Sequence, residues 1–207
     1  MMIILHCLLA EKLSPTEVKL QEALFELISS EASYLKSLNV LISHFVQSPN
    51  FTSSGIISKR DHRVLFSDVV SVRACSERFL ADLEKRWAES VMLHGLPEVV
   101  WRHARDNFQV YVKYCSNQVY QDRILKKLAA ENPKFVETLR DLESSPVCQS
   151  LAMHSFLMLP MQRVTRLPLL VEAIYKRLQS AERSEEECET CKLALDTINK
   201  VRRWSLM

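Results

Sequence analysis

The six histidines are the first residues to test for chemistry, and their spacing forbids most of it. They stand at positions 6, 44, 62, 94, 103 and 154, so no two share one turn of a helix. No Glu-x-x-His, Asp-x-x-His or His-x-x-x-His pair occurs, the spacings that put two metal ligands on one helix face. A Gly-x-Ser-x-Gly elbow and a kinase signature are absent too. Only two glycines, Gly55 and Gly95, are present, which excludes the Gly-rich loops that cradle phosphates. His44, His62 and His94 read as surface or capping residues. Among six cysteines, Cys75, Cys115 and Cys148 read as small core residues. Cys188 and Cys191 form a CxxC, but in an acidic helical stretch with no second pair, so they read as a helical pair and not a redox or zinc site. No metal, cofactor or covalent chemistry is expected.

Two polar features remain, both set within apolar patterns. Glu31 falls inside the stripe formed by Leu20, Leu24, Leu27, Ile28, Leu35, Leu38, Ile42 and Phe45. An unpaired buried carboxylate is costly, so Glu31 needs a donor, a cation or a partner surface. The second feature belongs to the stretch Leu151–Leu178. There Met153, Phe156, Leu157, Val164, Leu167, Val171, Ile174, Tyr175 and Leu178 share one side at helical spacing, a core face. The other side carries Gln162, Thr165, Arg166, Leu169 and Ala173, a mixed set too apolar for a merely solvated face. Pro160 and Pro168 interrupt the hydrogen-bond ladder and tend to kink a helix. From pattern alone, a salt bridge of Glu31 with Arg166 or with polar neighbours competes with a partner-binding role.

The elements that must position these residues are all helical. Ser14-Pro15-Thr16-Glu17 starts a first helix expected to reach about Phe45. Residues 47–58 form a loop. Further helices are expected over about Lys59–Trp87, Val99–Cys115 and, in shorter pieces broken at Asn132-Pro133, Asn117–Leu142. Ser144-Ser145-Pro146 opens the long helix, and a last one spans Glu185 to about Val201. With no alternating strand pattern and no dividing linker, the 207 residues predict one all-α domain. The net charge of +2 supplies no basic field, so nucleic acid is not an expected partner. The opening MMIILHCLLA is too short to span a bilayer and lacks a basic n-region; residues 1–15 read as a non-domain apolar leader, with a cytoplasmic location as the default.

LQEALFELISSEASYLKSLNVLISHF resembles the first conserved region of the Dbl-homology domain of Rho-family guanine nucleotide exchange factors. SFLMLPMQRVTRLPLLVEAI resembles its third conserved region, and RFLADLE and SSPVCQSLAMHSFL fit the same domain, nearest the ephexin-like branch. The resemblance spans about Val18–Val201. It implies an elongated helical bundle over residues 16–204 that binds a Rho-family small GTPase of Rho, Rac or Cdc42 type and speeds release of GDP. Such a factor prefers the nucleotide-free GTPase, so each ligand weakens the other's binding; it remodels the switch segments and disturbs the magnesium and phosphate site.

Carried over by motif, the resemblance implies a GTPase interface of Glu31, Gln162, Thr165, Arg166 and Leu169. Arg166 stands where many members have lysine, and Arg163 reads as structural. The family's last helix usually runs further and carries an asparagine or aspartate, at a position falling near Leu206 here. The ending RRWSLM departs from that pattern and no pleckstrin-homology domain follows, so a shortened last helix with weakened exchange is expected. The reading from another class is a non-catalytic helical module that binds a GTPase or another partner without exchange.

Overall fold

The computed structural model describes residues 13–207, so the apolar leader lies outside the described residues apart from its last three positions. Among the described residues there are nine α-helices and no strand. Helix α1, Pro15–Val40, starts where the sequence signals it: Ser14 Oγ accepts from the Glu17 amide at 3.2 Å, and Pro15 occupies the first turn. It continues into one π-helical turn, Leu41–Val46, and the buried stripe reaches Phe45 through Tyr34, Leu38 and Leu41, with the expected Leu35 and Ile42 only partly buried.

Short α2, Pro49–Thr52, lies within the expected loop. The expected second helix divides into α3, Lys59–Leu65, and α4, Val69–Glu89. The break is at Asp68, whose φ is 59°. Aspartate tolerates the left-handed region better than most residues. Here its carboxylate also receives Lys113 Nζ at 2.7 Å and Asn117 Nδ2 at 2.9 Å, so tertiary contacts hold the break. The third helix divides likewise into α5, Leu96–Asp106, and α6, Gln109–Glu131. Asn132 caps α7, Pro133–Glu143, by accepting from the Phe135 amide at 3.0 Å.

Helix α8 begins at Met153 and runs unbroken to Ser180. It starts later than Ser144, because Pro146–Cys148 forms a separate 3-10 turn and Glu143 Oε1 receives the Met153 amide at 2.7 Å. Both prolines are buried inside α8. Tyr114 Oη donates to the Leu157 carbonyl at 2.7 Å, beside the gap in the ladder left by Pro160. Helix α9, Glu185–Ser205, carries Glu185, Glu186 and Glu187 in its first turn and Arg202 and Arg203 in its last, charges that oppose the helix dipole at both ends.

Helix α8 is the spine, flanked by α1 and α9, while α4 packs on α1, and α5 and α6 pack on α9. Of the nine core positions expected on α8, eight are buried and Tyr175 is partly buried. Each such aliphatic residue contributes about 1.5–3 kcal/mol by leaving water. Cys75, Cys115, Cys148 and Cys191 are buried thiols. Arg183, in the α8–α9 turn, reaches Glu17 at 2.5 Å and Glu187 at 3.7 Å, tying that turn to the start of α1. Among the described residues no helix is long and apolar enough to cross a membrane.

Candidate functional site

Helices α1 and α8 run antiparallel, and two ion pairs connect them at different depths. Glu31 is fully buried and Arg163 is 4% exposed; the Arg163 guanidinium donates to the Glu31 carboxylate, and Ser76 of α4 donates to its other oxygen. A second Arg163 nitrogen donates to Ser30 Oγ at 3.1 Å, and the guanidinium lies 5.6 Å from the centre of the Tyr34 ring. Five residues back along α1 and three on along α8, Glu26 and Arg166 meet at 3.3 Å with side chains 55% and 60% exposed.

Between these pairs an open groove of about 440 Å³ follows the α1–α8 seam. Its walls are Glu26, Ser29, Ser33 and Tyr34 from α1, and Leu159, Gln162, Arg163 and Arg166 from α8. Ser29 donates to the Glu26 carbonyl of its own helix, so its oxygen keeps lone pairs for an incoming donor, whereas Ser30 Oγ already accepts from Arg163. Burial pushes the Tyr34 hydroxyl well above the ordinary tyrosine range, with Tyr111 and the Glu31 carboxylate adding to the shift. Tyr34 therefore stays neutral and serves as wall, not base.

The five residues expected at the interface divide by depth. Gln162, Arg166 and Leu169 face solvent, Leu169 at 60% exposure. Thr165 is half-buried and spends its hydroxyl on the Met161 and Gln162 carbonyls, at 3.1 and 2.8 Å. Glu31 departs from the expectation: its carboxylate is enclosed between α1, α4 and α8 and presents nothing to a partner. Its cation is Arg163, the residue read as structural, while Arg166 pairs with Glu26.

Pattern reading did not single out Glu26, which pairs with Arg166 at the rim of the groove. The signal was available, since five residues at ~100° each place Glu26 about 140° around α1 from Glu31, outside the apolar stripe. A carboxylate that meets a partner has to stand outside that stripe. Ser76 carried no such signal, because only folding brings α4 against Glu31.

No other cluster competes for chemistry. Among the described residues no group of three or more His, Cys, Asp or Glu side chains is placed to hold a metal. Burial pushes the Cys191 thiol up to about 12, which leaves the CxxC without a ready thiolate. His44 and His62 bond the carbonyls of Leu142 and Val46 at 2.8 and 2.9 Å, and buried His103 meets Asp82 at 2.8 Å.

Residues 23–203 match the family model of the RhoGEF domain. The chain is 49% identical over 178 residues to human ephexin-1, covering 86% of this chain and 24% of that protein. It is 43% identical over 195 residues to human Rho guanine nucleotide exchange factor 26, covering 94% of this chain and 22% of that protein. It thus spans about a quarter of the length of these curated relatives. In fold it is similar to the DH/PH fragment of PDZRHOGEF in complex with human RhoA, with a TM-score of 0.85, 22% identity, and coverage of 95% of this chain and 56% of that one. The N-terminally truncated linker-DH/PH domains of p115-RhoGEF superpose with a TM-score of 0.84 at 23% identity, covering 93% of this chain and 56% of that one.

Proposed function

Because the chain belongs to the RhoGEF domain family, we propose that it accelerates nucleotide release from a Rho-family small GTPase docked along the α1–α8 groove. The observation that carries this reading is the solvent-facing set of Glu26, Gln162, Arg166 and Leu169 on the two helices that flank the groove. An exposed ion pair such as Glu26–Arg166 contributes only about 0–1 kcal/mol to the free domain. Both groups can therefore leave each other at little cost and meet charges on a partner. Leu169 adds an apolar contact beside them, the usual composition of an energetic centre ringed by polar groups.

Exchange in this reading is a linkage effect. A surface that binds the nucleotide-free GTPase more tightly than the nucleotide-bound form lowers nucleotide affinity by the same factor. The domain itself breaks no covalent bond. The fold's likeness to a fragment complexed with RhoA supports a Rho-type partner without naming which one. Gln162, Arg166 and Leu169 are the direct contacts, Thr165 shapes the α8 backbone beside them, and Glu26 takes the acidic role first assigned to Glu31.

The test is release of fluorescent GDP from a panel of Rho, Rac and Cdc42-type GTPases, with Glu26→Ala and Arg166→Ala in parallel. Acceleration that both variants lose supports exchange at this groove. Binding to a nucleotide-free GTPase without any acceleration would sink the exchange reading in favour of a non-catalytic module.

A further inference from the structure

Arg163 belongs to two places at once, and this is unusual for a buried charge. One of its nitrogens reaches Glu31 in the interior, another reaches Ser30 Oγ at 3.1 Å, and the residue itself lines the groove. Its Nε is buried with no hydrogen-bond partner. Glu31 is closed off on its far side by Ser76 of α4. Three helices therefore meet on one carboxylate. A buried pair of this kind is weak evidence for stability, because desolvation opposes the attraction; its best-attested use is to fix a register. Sliding α8 along α1 by one turn would part Glu31 from Arg163 and leave both charges buried and unpaired. In the one register that keeps them together, Arg166 falls opposite Glu26 at 3.3 Å across the groove rim.

We propose that Glu31, Arg163 and Ser76 are positioning residues for nucleotide exchange: they set the register and rigidity of α8 against α1, and act through Glu26 and Arg166 without touching the partner. The inference rests on the exchange reading above for its activity readout, but its structural readout does not. Pre-organised contacts are sensitive to misplacement of the order of an ångström. Losing the register device should therefore lower the exchange rate even where the fold survives.

The deciding variant is Glu31→Met with Arg163→Met, which replaces the pair by apolar side chains of similar length. It is expected to melt at or above the parent temperature, while amide exchange over residues 159–170 becomes several-fold faster. The maximal rate of GDP release is expected to fall about tenfold. A control, Glu17→Met with Arg183→Met, removes the ion pairs of Arg183 with Glu17 and Glu187, away from the groove lining, and should leave exchange unchanged. The parent rate together with parent amide protection in the first variant would overturn the proposal, as would an equal loss of rate in the control. Should the first variant not fold, Ser76→Ala decides, with an expected loss of about threefold in rate from one hydrogen bond; no change in rate or protection would overturn it. A parent without exchange on any GTPase removes the exchange reading alone, and the amide protection of residues 159–170 still tests the register.

Discussion

Glu31–Arg163 and Glu26–Arg166 join the same two helices with the same charges, yet they lie in opposite surroundings. The first is enclosed, tied to Ser76 and Ser30, and unable to part without stranding a charge. The second stands more than half exposed on both sides and parts at little cost. Depth alone separates them. Two carboxylates on one helix thus differ in what can reach them. What matters is whether water, or a partner replacing water, can reach it.

The comparison breaks most visibly at Glu31. Glu31→Ala leaves the Arg163 guanidinium buried and unpaired, with an expected loss of about 3–5 kcal/mol in urea unfolding. For a chain of this length that lowers the thermal midpoint by roughly 10 °C. A variant that melts like the parent would show that the buried pair is replaceable by water and would erase the contrast of depth.

Two leucines on α8 repeat the contrast without charge. Leu167 is 1% exposed and Leu169 is 60% exposed. Leu167→Ala should cost about 2–5 kcal/mol through the cavity it leaves. Leu169→Ala should change stability by less than about 0.5 kcal/mol and raise the GTPase concentration needed for half-maximal exchange. Equal effects of the two on stability would contradict the assignment of Leu169 to the outer face.

Glu26→Ala and Arg166→Ala sharpen the comparison from the functional side. Each should shift stability by no more than about 1 kcal/mol. Each should also reduce GDP release about tenfold or more, the scale of an interface hot spot. Loss of activity accompanied by unfolding would count against a surface role.

The smallest effect is in acid. The His103 hydrogen bond holds the Asp82 carboxyl below its usual range. Partial burial would raise Glu17, but hydrogen bonds from Arg183 and Gln21 outweigh it and hold that carboxyl low. A carboxyl depressed in the folded state adds stability above its unfolded pKa of about 4, and that stability is lost as pH falls through the lower folded value. Stability contributed by these two groups should therefore be level above about pH 5 and decline below about pH 4. Glu17→Gln with Asp82→Asn should flatten that decline, measured as urea midpoints against pH, and an unchanged slope would assign the acid response to other groups.

Much of this protein was legible from pattern. The stripe of α8, the helix start at Ser14, the break at Asn132-Pro133 and the outward set of Gln162, Arg166 and Leu169 follow from the 3.6-residue period and local hydrogen bonding, which neighbouring residues control. The CxxC likewise read as a helical pair, and Cys191 is buried against the Val171 carbonyl. The breaks at Asp68 and at Asn107-Phe108 were not legible: Asp68 keeps its left-handed backbone while bonding Lys113 and Asn117, 45 and 49 residues away. Nor could periodicity choose a partner for Glu31, since Arg163 and Arg166 are separated by less than one turn of α8. That choice required the depth at which α8 meets α1 and the arrival of Ser76 from α4. Spacing along one helix sets which residues share a face; only the packing of three helices sets which charge is sealed in and which is left for a partner.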